Sequence, residues 1–84
     1  MRLQRLPRWH DAAVRSLAFA PDGATLASVG HDGRLILWDV VGQAKLREWT
    51  LLGGILAVDF APDGRHLATA NANGTVYILR LTKP

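Results

Sequence analysis

Apolar and polar positions along this chain fall into short runs punctuated by turn-forming residues, and the pattern repeats. Val14 to Phe19 is largely apolar and is followed by Pro21-Asp22-Gly23. Proline suits the second position of a type I turn, aspartate bonds its own backbone, and glycine accepts positive φ. Leu26 to Val29 forms a second short run, and Asp32-Gly33 then gives a hairpin signal. Leu35 to Val41 is rich in β-branched and aromatic residues, as a third strand should be. No window sustains a helical period, so the pattern predicts an all-β chain.

The same series recurs at an offset of 41 residues. Phe19-Ala20-Pro21-Asp22-Gly23 returns as Phe60-Ala61-Pro62-Asp63-Gly64, Leu26-Ala27 as Leu67-Ala68, and Gly33 as Gly74. Val14 and Leu17 correspond to Ile55 and Val58, and Asn73-Gly74 takes the place of Asp32-Gly33, ahead of a third strand over Thr75 to Leu81. A rigid period of this length marks a repeat architecture. It divides the chain into a leader (residues 1–9), a first unit (10–50) and a second unit (51–84).

Alternation along the strands adds a constraint. A strand with one wet face alternates apolar and polar residues, but Leu35-Ile36-Leu37-Trp38 and Val76-Tyr77-Ile78-Leu79 do not. Both faces of these strands are expected to be covered. Lys45-Leu46-Arg47-Glu48-Trp49 is instead a charged run, as an outer edge strand should be. Small sheets covered on both faces, each with a charged outer strand, are the pattern of blades packed radially.

Composition narrows the picture further. With 49% apolar and 20% charged residues the chain is too apolar for disorder. At 84 residues it buries only a modest share of its surface alone. It has no cysteine, and His10, His31 and His66 lie far apart, so neither disulfides nor a metal site is expected to support it. No cofactor is expected either: Gly42 and Gly53-Gly54 read as turn residues, since a phosphate cradle needs a following helix. The longest apolar run, Leu51 to Val58, is far below membrane-spanning length, and no apolar segment of signal type follows the basic N-terminus. A cytoplasmic location is the default reading. The net charge of +3 is matched by Arg2, Arg5 and Arg8 in the leader, which has no acid. No basic stripe crosses the two units, which argues against a nucleic-acid partner.

His10, Val14-x-x-Leu17-x-Phe19-Ala20-Pro21-Asp22-Gly23, Leu26-Ala27-Ser28, Asp32-Gly33 and Trp38-Asp39, in that order and spacing, resemble the WD40-repeat family of β-propellers. Trp9 stands where the family has a glycine. The second unit departs further: Leu51, Asn73, Leu79 and Arg80 replace the histidine, aspartate, tryptophan and final aspartate, while Thr69 substitutes for the serine. The resemblance implies four strands per blade, here Val14–Phe19, Leu26–Val29, Leu35–Val40 and Lys45–Trp49 in the first unit. It also implies a hydrogen-bonded structural tetrad of His10, Ser28, Asp32 and Trp38. Histidine, serine and aspartate are also the residue types of a nucleophilic triad, but no Gly-x-Ser-x-Gly elbow is present, and the chain is read as non-enzymatic.

Two blades cannot close a propeller of about four to eight. The expectation is therefore a homo-oligomer of two-blade units, with four copies favoured over three, or else a fragment or engineered minimal unit of a longer propeller protein. The second unit offers three strands, so the leader is expected to supply the fourth to a neighbouring copy, with Leu3 and Leu6 as the clasp. The function the resemblance implies is a scaffold that binds a protein or peptide, with loops at residues 11–13, 30–32, 52–54 and 71–73 at one face and, by the same resemblance, Arg15 and His31 near the contact surface. An enzyme with a site in a central channel is the lesser alternative, with Arg15 and Asp59 as its charged candidates.

Overall fold

The computed structural model describes residue 10, residues 12–51 and residues 53–81. Seven strands form two antiparallel sheets within this range. The first joins β1 (Val14–Phe19), β2 (Thr25–Gly30), β3 (Arg34–Asp39) and β4 (Ala44–Thr50) in chain order. The second joins β5 (Ile55–Phe60), β6 (His66–Asn71) and β7 (Val76–Arg80), also in order. The expected leader strand and its clasp residues Leu3 and Leu6 lie outside the described residues, as does Trp9.

The two Pro-Asp-Gly turns have the same bonds. Gly23 N–H donates to Ala20 O and Gly64 N–H to Ala61 O, each at 2.9 Å. Both glycines have positive φ, 71° and 68°. Asp22 Oδ1 accepts the Ala24 amide at 2.8 Å, and Asp63 Oδ1 accepts the Arg65 amide at 2.8 Å. The Arg65 amide, aided by the His66 ring at 2.9 Å, holds the Asp63 carboxyl below its ordinary range. A depressed carboxylate supports the fold at neutral pH, and that support is lost as pH falls through its folded value. Asp63 lies at the surface, so the contribution is small.

Ala27, Val29, Leu35 and Leu37 of the first sheet pack against Ile55, Val58 and Leu67 of the second. Trp49, Leu51, Phe60 and Leu79 close the margins of this core. A hydrogen bond also crosses between the sheets, from the Val58 amide to Ser16 Oγ at 3.3 Å. Leu26, Ile36 and Trp38 form a second buried cluster on the other face of the first sheet. Leu35 to Trp38 is therefore covered on both faces, as its unbroken apolar run requires. The corresponding run on β7 is not: Val76 and Ile78 are each 66% exposed. Their face of the second sheet lacks a covering layer among the described residues.

Candidate functional site

The structure brings His10, Ser28, Asp32 and Trp38 together on the first sheet. Ser28 is central on β2 and Trp38 lies near the end of β3, so both side chains rise from one face. Trp38 Nε1–H can only donate, and it reaches Ser28 Oγ at 2.8 Å. His10 Nε2 lies 2.7 Å from the same oxygen, and His10 Nδ1 lies 3.1 Å from Asp32 Oδ2. An ionised carboxylate only accepts, so in the neutral imidazole the proton sits on Nδ1 and Nε2 accepts from the Ser28 hydroxyl. One direction of donation thus runs from Trp38 through Ser28 and His10 to Asp32. Asp32 Oδ1 also accepts the Arg34 amide at 3.0 Å, which secures the β2–β3 turn.

Ser28, His10 and Asp32 share the bonding order of a nucleophilic triad. The surroundings differ from what a nucleophile needs. Ser28 is 3% exposed and His10 7% exposed. The Ser28 oxygen also accepts the indole N–H, so its side chain is enclosed by the sheet, the imidazole and Trp38. What the geometry can do is tie His10, strand β2, the β2–β3 turn and strand β3 into one buried polar network with each polar group used.

The second sheet replaces this network with packing. Leu51 and Leu79, at the positions of His10 and Trp38, join the core between the sheets. Thr69, at the position of Ser28, is 1% exposed, and its hydroxyl finds no partner among the described residues. An unpaired buried hydroxyl costs about 1–3 kcal/mol. Thr69→Val is therefore expected to raise stability by about 1 kcal/mol, whereas Ser28→Ala lowers it. Urea unfolding of the two variants beside the parent checks this, and an equal loss in both would contradict it.

The end of the sheets that carries the expected contact loops is well tied together. Gly33 has φ 78°, and a Cβ there would stand 2.6 Å from Leu51 O and 2.7 Å from Gly53 O, so only glycine fits. The His31 amide bonds Ala13 O, and the Ala72 amide bonds Gly54 O at 2.9 Å. These bonds bring the β2–β3 turn, the link between the sheets and the β6–β7 turn to one edge. Asp11 and Leu52, at the margins of two expected loops, lie outside the described residues. His31 is exposed there, as is Arg15 on β1. His66 lies elsewhere, at the start of β6 beside Asp63, and no cluster of three metal-ligating side chains occurs among the described residues.

Strand bulges are a feature the sequence reading lacks. Val14 pairs with Gly30 and Ser16 with Val29, leaving Arg15 as the extra residue. Ile55 pairs with Asn71 and Ala57 with Ala70, leaving Leu56 at the same place in the second sheet. A bulge re-aims the side chain it carries, and both Arg15 and Leu56 are exposed. Neither alternation nor turn chemistry signals such an insertion.

Comparison with known proteins agrees with this geometry. A family model described as WD domain, G-beta repeat matches residues 2–39 and 47–79. The chain is 30% identical over 71 residues to the meiotic recombination protein rec14 of Schizosaccharomyces pombe, covering 83% of this chain and 24% of that protein. It is 33% identical over 76 residues to protein hir-1 of Neurospora crassa, covering 89% of this chain and 7% of that one. Among solved structures, U3-55K superposes with a TM-score of 0.86 at 23% identity, over 90% of this chain and 25% of that chain. The β-propeller domain of Myceliophteria thermophila Cps50 (Swd1) gives the same score and identity over 98% of this chain and 26% of its own. These structures share the fold, and the chain spans about a quarter of each. Among the described residues, no helix is long and apolar enough to cross a membrane.

Proposed function

The chain belongs to the WD40 repeat family, a family of β-propellers that is generally non-enzymatic, and from that premise we propose that it is a non-catalytic scaffold that binds protein partners after joining a closed propeller. The buried tetrad of His10, Ser28, Asp32 and Trp38 serves to hold a blade rigid rather than to carry out chemistry. Arg15 and His31 lie at the surface offered to a protein or peptide partner.

One observation carries the closure. The contact between the sheets buries Val58 and part of Phe60 against the face that holds Ala27, Val29, Leu35 and Leu37. The repeat offset converts these two sets into Leu17 and Phe19 on one side and Ala68, Ala70, Val76 and Ile78 on the other. Leu17 and Phe19 are 59% and 61% exposed, and Val76 and Ile78 are 66% exposed. The chain thus shows, on its two outer sides, the two halves of a contact it already makes once inside. Joining them head to tail is a heterologous contact, which closes into a ring if the rotation permits.

Homo-oligomerisation of two-blade units uses this contact directly, with four copies favoured over three. Fully burying a Val, Leu, Ile or Phe side chain is worth about 1.5–3 kcal/mol, while association costs roughly 4–15 kcal/mol. One seam is therefore near break-even, and a closed ring gains its last seam without a further association. Light scattering is expected to give three or four times the 9.2 kDa of one chain. Ile78→Glu is expected to return it to the mass of one chain, and so is deletion of residues 1–8, whose Leu3 and Leu6 form the clasp in this reading. A parent at the mass of one chain would overturn self-assembly.

A second reading is favoured by the comparisons: the chain spans about a quarter of solved propeller chains, so further blades of one longer polypeptide would cover the same faces. The length of the natural open reading frame separates the two.

A further inference from the structure

We propose that the outer seam between the two sheets is a docking groove for an acidic peptide segment of a partner protein, one that presents an apolar side chain between carboxylates. This rests on the scaffold reading and adds to it a second surface, at the Pro-Asp-Gly end of the sheets and away from Arg15 and His31. The groove measures about 870 Å³ and is lined by Leu46, Arg47, Phe60, Arg65, Arg80 and Leu81 around the buried Leu37.

The backbone sets these side chains in place. Leu37 pairs with Arg47 but Trp38 pairs with Lys45, so Leu46 is the extra residue of a bulge in β4. That break in alternation lets Leu46 and its neighbour Arg47 line the same groove. The Arg47 guanidinium lies over the Trp49 ring, 4.8 Å from its centroid, and Trp49 itself packs on the core between the sheets. Across the groove, Arg80 pairs with His66 at the end of β7, and the Leu81 amide bonds Arg65 O at 2.6 Å. Arg65, Arg80 and Leu81 therefore share one corner.

Charge selects the occupant. Arg47, Arg65 and Arg80 are exposed, and none of them is in an ion pair among the described residues. The acid lining the groove is Asp22, and its Oδ1 already accepts the Ala24 and Thr25 amides. Guanidinium groups take carboxylates in a bidentate fork, while Leu46, Phe60 and Leu81 offer an apolar floor between them. An extended peptide alternates its side chains at about 3.3 Å per residue and can satisfy both. Single-stranded nucleic acid stacks its bases on free aromatic faces. Phe60 is the one aromatic residue in the lining, and a face of Trp49 is taken by Arg47.

The test pans the full chain with phage-displayed random dodecapeptides and measures synthetic copies of the enriched sequences by fluorescence polarisation. Enriched peptides are expected to flank an apolar residue with Asp or Glu and to weaken with added salt. Arg65→Glu with Arg80→Glu is expected to weaken them at least about tenfold, and the corresponding lysine pair less, because it keeps charge but loses the fork. Circular dichroism establishes that both double variants fold, and the lysine pair carries the test if the glutamate pair does not. No enrichment, enrichment of basic or neutral peptides, or unchanged binding by the glutamate pair would overturn the groove. Binding of an oligothymidine 12-mer with the same arginine dependence would assign the site to nucleic acid and overturn it equally. Light scattering on the same variants keeps the readings apart: lost peptide binding at parental mass supports the groove, while peptides retained by the glutamate pair sink the groove and leave the scaffold standing.

Discussion

Trp38→Ala is expected to destabilise the chain by about 3–5 kcal/mol, lowering the melting temperature by on the order of 15 °C or more. The indole is 3% exposed and packs with Leu26, Ile36 and Val40. Its removal leaves a cavity and also strips the donor from Ser28 Oγ, which the buried network depends on. Trp38→Phe keeps part of the packing and loses the N–H, and is expected to cost less than Trp38→Ala but more than the roughly 1 kcal/mol of the hydrogen bond alone. The repeat supplies a control. Asp32 accepts from the imidazole and from the Arg34 amide, whereas Asn73 accepts from Thr75 at the exposed turn of the second sheet. Asp32→Ala should therefore cost more than Asn73→Ala. A thermal melt of Trp38→Ala that overlays the parent would remove the structural role assigned to the tetrad.

The second large effect is expected at Leu35→Ala, with a loss of about 2–5 kcal/mol. Leu35 is fully buried in the core shared by the sheets, together with Val29, Ile55 and Leu67. Because both sheets lean on that core, the loss should reach amides in β5 to β7 as well as those in β1 to β4. Hydrogen exchange on the variant measures this directly. Faster exchange confined to the first sheet would mean that the two units fold independently. Leu17→Ala removes the same atoms from a position that is 59% exposed in the chain. It should change the stability of a single chain by no more than about 0.5 kcal/mol, and it should cost more wherever a neighbouring blade covers it.

Much of the local structure was legible in the residues. Pro21-Asp22-Gly23 and Pro62-Asp63-Gly64 fold into the same turn because aspartate bonds amides two residues on and glycine accepts positive φ. The strands follow from apolar runs between those turns. These are short-range consequences of chemistry that each residue carries with it. Strand ends differ by one or two residues, as at β3, Arg34–Asp39, where the pattern predicts Leu35 to Val41. A strand ends where its ladder partner ends, and here the partner is Thr25, paired with Asp39.

Tertiary structure decided the rest, and the two halves of the repeat show why. Leu17 with Phe19 and Val58 with Phe60 are apolar pairs at equivalent positions, yet the first pair is exposed while Val58 is buried. Val76 and Ile78 are as apolar as Leu35 and Leu37, yet only the latter are covered. Periodicity reports which face of a strand avoids water, because that depends on side chains alternating along one chain. It does not report what lies opposite, because burial belongs to the pair of surfaces that meet. The groove of Arg47, Arg65 and Arg80 has the same origin: residues spread over the chain share a seam only after two sheets pack and a bulge turns one strand out of alternation.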